Sequence, residues 1–358
     1  MKKDTIPELP IIELTSEEIK RKKDLMSKEV QQIVIKEDIV NMIESYAKSS
    51  FQARKIGQAA KLYYKQTQQD TGIIWAMAGS LFGAGLRQIT IDCIRSNLVD
   101  VLVCTGALFE QDMLEALGHK HYICDIEIDD AELQRLGIDR VYDHLLDEMA
   151  LRQVDLTFQK IASEMPNGYY SSREYMRFVG KWLSSTDSAK DSVAQAAYEC
   201  DVPIFIPAIN DSSIGIGIAM NQNSNEHGIG IDAIKDLREI AKLKSECGDT
   251  GVIVMGGGVP KNYAQDAVVM AEMLGHKVNK HKFGIQISTA DARDGGLSGS
   301  TLKEAISWGK NDSKMEEVMV WGEATVYVPL LMGYVMQKNK NPVRTKRCYS
   351  DIFKDDRI

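Results

Sequence analysis

The chain has 358 residues, enough for one large α/β domain or two smaller ones with a substantial buried core. Its hydrophobic fraction of 44% and charged fraction of 26% are ordinary for a soluble globular protein. Acidic residues number 51 against 43 Lys and Arg, which argues against a nucleic-acid surface and is compatible with a cationic substrate.

The six cysteines are spread along the chain without a CxxC pair or a zinc-ligand spacing. Several lie in apolar runs, so we expect free thiols in a reducing compartment and no metal centre. The first residues are charged and contain no apolar leader, and no apolar run approaches the length of a membrane span. A cytoplasmic protein without membrane contact is therefore predicted.

The first 70 residues are predicted to be a helical extension. Residues 1–15 contain two prolines and are expected to form an extended arm, and residues 16–28 a charged helix. Apolar residues near helical spacing predict a longer amphipathic helix over residues 38–69. We expect this region to be an addition to the domain that follows, residues 71–338, rather than a domain with its own core. A charged tail, residues 339–358, is expected to be poorly packed or used in contacts.

From Gly72 onward, short apolar runs alternate with amphipathic ones. The apolar runs predict strands at residues 72–78, 99–106, 202–208, 251–255, 283–288 and 318–321. The intervening segments predict helices at residues 81–97, 110–117, 231–243, 260–274, 302–308 and 326–337, and residues 119–185 are expected to be mostly helical. Strands rich in Val and Ile, without strict polar alternation, predict a Rossmann-like, doubly wound α/β fold. Its mainly parallel sheet carries helices on both faces.

Small and polar residues follow the predicted strands, at the edge where an open parallel sheet binds ligands. Glycines there allow close backbone approach, helix N-termini offer N–H groups to phosphate, and carboxylates can accept hydrogen bonds from ribose hydroxyls. No GxGxxG follows the first strand, so the ordinary dinucleotide fingerprint is absent. A tight turn would explain one triple glycine, but six such strand ends favour a nucleotide-sized ligand. The candidate cofactor residues are Ser80, Thr105, Gly106, Asp211, Gly257, Gly258, Thr289, Ala290, Asp294, Glu323 and Ala324.

A lysine nucleophile is the second candidate feature. The stretch from Glu304 to Lys310 places an indole, Trp308, two residues before the lysine and a carboxylate six before it. A lysine amine is a useful nucleophile only when its pKa is lowered, by desolvation or by a nearby cation, and Trp308 could supply the desolvation. A solvated surface lysine is the alternative, which these residues alone leave open.

Five segments carry a resemblance to a known family. They are the Ser-Trp-Gly-Lys box at residues 307–310, the glycine turn at 256–259, and residues 97–103 with Thr105, 207–215 and 329–331. The match is colinear from about Gly72 to Met336. On these residues the chain resembles the deoxyhypusine synthase family.

The resemblance implies an NAD-dependent transfer of a butylamine group. Hydride leaves the carbon next to the secondary amine of spermidine and goes to NAD, and Lys310 captures the resulting imine as diaminopropane departs. The butylimine then passes to an acceptor amine and is reduced by the retained NADH. The acceptor is a lysine of a translation initiation factor in deoxyhypusine synthase and putrescine in homospermidine synthases.

The resemblance also implies roles for particular residues. Most of the strand-end residues match NAD contacts of the family, with Glu323 in place of the usual aspartate. Glu304 and Trp308 match residues of the amine channel, and Lys310 matches the imine-forming lysine. The family further implies a homotetramer with sites at a dimer interface, and an N-terminal segment that can reach a neighbouring site.

The chain departs from the family in the polyamine site. Asn262 replaces a histidine thought to shuttle a proton, and Ile216, Leu297 and Gln111 replace carboxylates, while Glu110 remains. An unpaired buried charge costs several kcal/mol, so the losses suggest a donor with fewer or differently placed charges than spermidine. Ile216 and Leu297 together would make one side of the channel apolar.

Three hypotheses follow. The preferred one is a deoxyhypusine-synthase-like transferase that acts on an altered amine. The second is a true deoxyhypusine or homospermidine synthase in which other acids replace the lost ones. The third is a non-catalytic NAD-binding or assembly protein, although a site without activity has no physical need for the Lys310 box.

Overall fold

The computed structural model describes residues 12–29, 38–186, 189, 191–224, 228–339 and 344–353, so most of the expected N-terminal arm lies outside the described residues. The described α-helices are α1 (Ser16–Leu25), α2 (Val40–Tyr46), α3 (Phe51–Thr67), α4 (Arg87–Arg95), α5 (Gly106–Ala116), α6 (Asp130–Leu136), α7 (Glu148–Glu164), α8 (Ser172–Ser184), α9 (Val193–Glu199), α10 (Ser213–Ser224), α11 (Ala233–Glu246), α12 (Gly258–Met273) and α13 (Ala324–Lys338). The described strands are β1 (Gly72–Met77), β2 (Val101–Cys104), β3 (Tyr122–Ile123), β4 (Ile138–Val141), β5 (His144–Asp147), β6 (Gly168–Tyr170), β7 (Ile204–Phe205), β8 (Ile229–Ile231), β9 (Thr250–Met255), β10 (His281–Ser288) and β11 (Asn311–Trp321).

The centre of the fold is a six-stranded parallel sheet with the strand order β11-β10-β9-β1-β2-β7. From β1 the chain builds outward through β2 and β7 on one side, and from β9 through β10 and β11 on the other. The change of direction between β1 and β9 is characteristic of a doubly wound sheet. The predicted Rossmann-like fold class is confirmed.

Apolar side chains of the central strands pack on both faces of the sheet. Every residue of β1 is buried; Ile73 and Trp75 join the core on one face, and Ile74 joins the core on the other. This alternation follows from the two-residue period of a strand, and burial on both faces explains why the sequence of β1 lacks polar positions. Helices α3 and α13 cover the first face, and α11 and α12 the second.

The expectation of a mostly helical middle region is wrong in part. Residues 119–185 contain α6, α7 and α8 but also β3, β4 and β5, which form a small antiparallel sheet, and β6, which pairs with β8. These strands have at most four residues and alternate incompletely between buried and exposed positions. So short a run carries too few positions to distinguish a strand from a helix by period.

The N-terminal helices pack against the sheet. The predicted helix over residues 38–69 is divided into α2 and α3 by a turn in which Phe51 has φ +54°. Tyr63 of α3 is fully buried and its hydroxyl donates to the carbonyl of Leu98 at 2.5 Å, while the indole N–H of Trp75 donates to Tyr63 at 3.1 Å. The helix α3 thus shares the core of the sheet.

The C-terminal segment 344–353 packs at the amino ends of the strands. The buried guanidinium of Arg344 contacts the carboxylate of Asp100 and donates to the carbonyls of Asn97 at 2.8 Å and Thr71 at 3.1 Å. These contacts lie at the end of the sheet opposite the predicted cofactor edge. Across the described ranges, no helix is both long and apolar enough to cross a membrane.

Candidate active site

The residues predicted to bind a cofactor lie along one edge of the six-stranded sheet. Because all six strands are parallel, their carboxyl ends share that edge, and each strand is followed there by one of the predicted groups. Ser80 follows β1, and Gly257 precedes α12 after β9. Since the winding direction changes between these two strands, the crevice between their ends is the expected place for a ligand.

Two loops at this crevice pack backbone to backbone. A Cβ atom on Gly257 would lie 2.5 Å from the Cα of Ser298, in the loop after β10. The buried amide of Gln286 joins the same loops, since Nε2 donates to the carbonyls of Gly256 at 3.0 Å and Ser298 at 2.9 Å. Gly258 has φ +60°, a conformation that favours glycine. The consecutive glycines are therefore needed for close approach and for backbone geometry.

The same edge presents groups that can hold the phosphates and hydroxyls of a nucleotide. The buried Oγ1 of Thr105, at the start of α5, has no hydrogen-bond partner among the described residues. A glycine occupies the capping position of α12, so no side chain caps the first N–H groups of that helix. Asp294 and Glu323 are exposed; they accept hydrogen bonds from Gly296 N at 2.6 Å and Thr325 N at 2.9 Å and retain lone pairs for a ligand.

The remaining candidate cofactor residues surround this crevice. A Cβ atom on Gly106 would lie 2.2 Å from Oγ of Ser212, so glycine lets the start of α5 approach the loop after β7 that carries the exposed Asp211. The carbonyl of Thr289, directly after β10, accepts a hydrogen bond from the indole of Trp321 at 3.3 Å. Thr289 is followed by Ala290, and Ala324 is the first residue of α13.

Lys310 lies directly before β11, after a turn in which Gly309 has φ +77°. Its ammonium contacts two side chains of α12: Nζ lies 2.7 Å from Oδ1 of Asn262 and 2.8 Å from Oδ1 of Asp266. The lysine side chain is only 12% exposed. The ring centroid of Trp308 is 5.7 Å from Nζ, within the range of a cation–π interaction.

The environment of Lys310 is more polar than the sequence analysis expects. The side chain of Trp308 is 67% exposed in this chain, so the indole stands beside the amine without burying it. Glu304 is also exposed, and its carboxylate accepts a hydrogen bond from the N–H of Thr301 at 3.3 Å. An amide and a carboxylate, rather than an apolar wall, hold the amine in place.

Lys310 also lies away from the carboxyl edge of the sheet. Its carbonyl accepts a hydrogen bond from the N–H of His281, the first residue of β10, at 3.3 Å. Asn262 and Asp266 lie one and two turns into α12, on the way from the cofactor edge to the opposite end of the sheet. The candidate nucleophile is thus positioned beneath the cofactor loops.

A second lysine, Lys261, is fully buried near Lys310. Its ammonium donates to Oγ of Ser300 at 2.9 Å, to the carbonyl of Ser300 and to the carbonyl of Leu297 at 3.3 Å. Burial lowers the pKa of Lys261 to about 8; the charge of Glu304 opposes this and the charge of Lys310 adds to it. Lys261 therefore ties the loop after β10 to α12, and the charge of Lys310 acts on it.

A second group of predicted residues lies near β2 and β7. Glu110 accepts a hydrogen bond from the N–H of Ser213 at 3.0 Å, and burial raises the pKa of its carboxyl group. Gln111 is buried and accepts from the N–H of Gly83 at 2.9 Å, so it supports the loop after β1. The buried Asp112 pairs with an arginine and caps α9. Gln111 and Asp112 thus hold neighbouring backbone, whereas Glu110 is a half-buried carboxylate, and substrate contacts of Glu110 and Gln111 stay predictions.

A single chain does not bring Lys310 and its neighbours together with Glu110 and its neighbours. Glu110 follows β2 and Lys310 precedes β11; four strand spacings separate these elements, roughly 19 Å across the sheet. Ile216 and Leu297 follow β7 and β10, which are equally far apart, and both are exposed. The apolar wall expected from these two side chains stays a prediction, and a single chain places the strands that precede them four spacings apart.

Asp266 and Gln286 are site residues that were not predicted from the sequence. Asp266 stands four residues after Asn262, the spacing of neighbours on one helix face, and this spacing could have indicated a shared site. Gln286 is a buried amide between Ile285 and Ile287 of β10, an unusual residue at such a position. Both residues act through partners distant in sequence.

Sequence comparisons connect the chain to one family. The sequence model of the deoxyhypusine synthase family matches residues 41–335. A deoxyhypusine synthase-like protein of Chlorobaculum parvum is 45% identical over 324 residues, which cover 89% of this chain and 92% of that protein. One of Coxiella burnetii is 40% identical over 340 residues, covering 94% and 96%. A Methanosarcina mazei protein described as "Probable deoxyhypusine synthase 2" is 36% identical over 313 residues, covering 87% and 90%.

Solved structures share the fold at lower identity. The crystal structure of a provisionally assigned deoxyhypusine synthase from Entamoeba histolytica superposes with a TM-score of 0.58 at 17% identity, covering 85% of this chain and 94% of that chain. The crystal structure of AgrE in a ternary complex with ornithine and NAD+ gives a TM-score of 0.50 at 12% identity, covering 86% and 34%. At these identities the likeness is one of fold alone.

Proposed function

The chain belongs to the deoxyhypusine synthase family, and from this membership we propose that it is an NAD-dependent transferase of an aminobutyl or similar alkylamine group. A polyamine-type donor supplies the group, Lys310 carries it as an imine, and a second amine accepts it. The observation that carries the proposal is the largely buried Lys310 amine, in contact with a carboxylate and beside an indole beneath the cofactor loops.

The carboxyl edge of the sheet fits NAD. The buried hydroxyl of Thr105 lacks a partner among the described residues, and the uncapped start of α12 can receive a phosphate. Asp294 and Glu323 can accept hydrogen bonds from ribose hydroxyls. When bound, NAD supplies the oxidant that takes hydride from the donor and later returns it.

Lys310 acts as a neutral amine. Its nitrogen forms a bond to the imine carbon of the oxidised donor, and the bond from that carbon to the departing amine breaks, so that one imine replaces another. The acceptor amine then attacks the same carbon and frees Lys310. Asn262 orients the nucleophile through Oδ1 at 2.7 Å, but its amide does not exchange protons at neutral pH.

The donor carries fewer or differently placed charges than spermidine. Ile216 and Leu297 are exposed apolar residues at positions where the family resemblance implies carboxylates, and Gln111 is engaged with the loop after β1. Each unpaired ammonium would cost several kcal/mol on entering such a site, and about 1.4 kcal/mol corresponds to tenfold in affinity. A diamine or a guanidino-amine suits this site better than a triamine.

We further propose that a second copy of the chain completes each site. Glu110 follows β2 and Lys310 precedes β11, and these strands lie roughly 19 Å apart across one sheet. That distance is farther than an extended triamine reaches. Trp308 is 67% and Trp321 51% exposed near the candidate site, which is unusual for such large apolar side chains. A partner chain that covers them would also desolvate Lys310.

The proposal is tested with purified protein, NAD and a panel of diamines, guanidino-amines and spermidine. NADH absorbance reports hydride transfer, and borohydride reduction with peptide mapping reports an adduct on Lys310. We expect an adduct in the wild type and none in Lys310→Ala, whereas Lys303→Ala, at an exposed lysine of the same connection, behaves as the wild type. Absence of an adduct with every amine, or an equal adduct in Lys310→Ala, contradicts the proposal. Tight, productive use of spermidine contradicts the altered donor and favours a true deoxyhypusine or homospermidine synthase.

A further inference from the structure

Asp266 is the carboxylate in direct contact with the Lys310 amine. Its Oδ1 lies 2.8 Å from Nζ, and its Oδ2 accepts a hydrogen bond from Nδ2 of Asn262 at 2.6 Å. Asn262 and Asp266 are four residues apart and therefore share one face of α12. The lysine side chain is 12% exposed and that of Asp266 is 37% exposed, so the ion pair is open to a substrate on the side of the acid.

The contact poses a chemical problem for the proposed reaction. An ammonium beside a carboxylate is stabilised in its charged form, and the charged form cannot attack an imine carbon. Lys310 must therefore lose a proton to a group within reach. Asn262 accepts a hydrogen bond from Lys310 through Oδ1 and donates one through Nδ2, so both ends of its amide are engaged and neither titrates.

Other charged groups near Lys310 are less well placed to take the proton. Glu304 is exposed, and its carboxylate accepts a hydrogen bond from the N–H of Thr301. Lys261 is a cation whose ammonium already donates to three oxygens of the loop after β10. The ammonium of Lys280 lies 3.9 Å from the position of a Cβ built on Gly309, and it too is a cation. Among the described residues that contact Nζ, Asp266 alone can act as a base.

We propose that Asp266 is a catalytic residue, the proton acceptor and donor of the exchange at Lys310; this inference rests on the proposed function. The Lys310 ammonium gives a proton to the Asp266 carboxylate and becomes a neutral amine. Its nitrogen attacks the iminium carbon of the oxidised donor, and one proton passes within the resulting adduct to the nitrogen that leaves. The carbon–nitrogen bond to that nitrogen breaks, which gives the Lys310 iminium and a free amine.

The free amine then takes the proton from Asp266 and departs as an ammonium ion. Charge is conserved, since one iminium is replaced by another, the ammonium charge passes from Lys310 to the departing amine, and Asp266 returns to a carboxylate. No oxidant is consumed in the exchange. The residue pair Asn262 and Asp266 thus replaces a single shuttling histidine, with the amide orienting the nucleophile and the acid moving the proton.

The test separates the two half-reactions in Asp266→Asn, which keeps the size of the side chain and removes its basicity. NADH formation in the first turnover should stay within a few-fold of the wild type, because hydride transfer precedes the exchange. The rate at which borohydride traps the Lys310 adduct should fall about 100-fold or more at pH 7, the usual contribution of a general acid–base group. The rate should recover as the pH rises, because hydroxide then removes the proton that Asp266 no longer takes.

Glu272→Gln, at an exposed acid of the same helix, is the matched control and should leave both half-reactions unchanged. Asp266→Glu should restore part of the trapping rate. Trapping by Asp266→Asn at the wild-type rate and with the wild-type pH profile overturns the inference, as does a parallel loss of NADH formation, which would indicate substrate binding. A wild type that gives neither NADH nor adduct refutes the proposed function itself, so the two failures are distinguishable.

Discussion

Two fully buried lysines allow the electrostatics of the candidate site to be measured separately from its chemistry. Lys261 donates to the loop after β10 beside the nucleophile, and Lys244 donates to the carbonyls of Gly248 at 3.2 Å and Asn279 at 2.5 Å, at the amino ends of the strands. Burial lowers the pKa of both lysines to about 8. Each can be replaced by methionine, which keeps the chain length and removes the charge.

The structure determines the size and sign of the effect on stability. The ordinary lysine pKa is 10.5 and the folded value is about 8, a difference that corresponds to about 3 kcal/mol at roughly 1.4 kcal/mol per pKa unit. As the pH rises from 8 to 10.5, the folded protein releases this proton before the unfolded chain does. The free energy of unfolding of the wild type should therefore rise relative to each methionine variant over that window, and the difference should be constant below about pH 7.

Urea denaturation of the three proteins at pH 7, 8, 9 and 10 measures this difference, because groups common to all three cancel. Both variants should show the same trend, whereas Lys261→Met alone should slow formation of the Lys310 adduct. That loss follows because Leu297 and Ser300 lose their anchor to α12. A pH-independent difference for both variants would refute the argument from burial. An equal loss of adduct formation in Lys244→Met would refute the role assigned to Lys261.

Three further predictions concern stability and cofactor binding. Arg344→Met should lower the free energy of unfolding by about 3 kcal/mol in urea, because the buried Asp100 carboxylate loses its direct ion pair and keeps only Arg347, with Nε 3.9 Å away. Gly257→Ala should weaken NAD binding by at least tenfold in calorimetry, because the added Cβ would lie 2.5 Å from the backbone of Ser298. His144→Asn should make the free energy of unfolding less sensitive to acid. Burial and, to a lesser degree, His121 lower the pKa of His144 to about 4. Below pH 6.5 the unfolded chain therefore binds a proton that the folded protein does not bind, and the wild type loses stability.

Each of these variants has a control in the same chain. Arg140→Met breaks an exposed pair with Asp130 and should change the free energy of unfolding far less than Arg344→Met does. Gly275→Ala strains a backbone with φ +80° in open space, so it should lower stability without changing the affinity for NAD. His276→Asn, at an exposed position, should leave the pH dependence of unfolding unchanged. Equal behaviour of a variant and its control would contradict the corresponding prediction.

Much of the fold could be predicted because strand and helix periods are local properties of a sequence. The runs of β1 and β9 are buried throughout and almost wholly apolar since both faces of the sheet are covered there, and this pattern is visible without coordinates. The small sheet of β3, β4 and β5 was missed because its strands are short and partly exposed. The break between α2 and α3 was missed because a positive φ at a phenylalanine has no compositional mark.

The candidate site also has features that the sequence determines and features that depend on the tertiary structure. The sequence by itself determined the Lys310 box, the glycines of the cofactor edge and the absence of a titrating side chain at residue 262, since each depends on which residue occupies a position. Only the tertiary structure decided that Asp266 contacts Lys310, because α12 and the start of β11 are distant in sequence and meet through the packing of the sheet. The separation of Glu110 from Lys310 likewise depends on strand order, which pairing across the sheet decides.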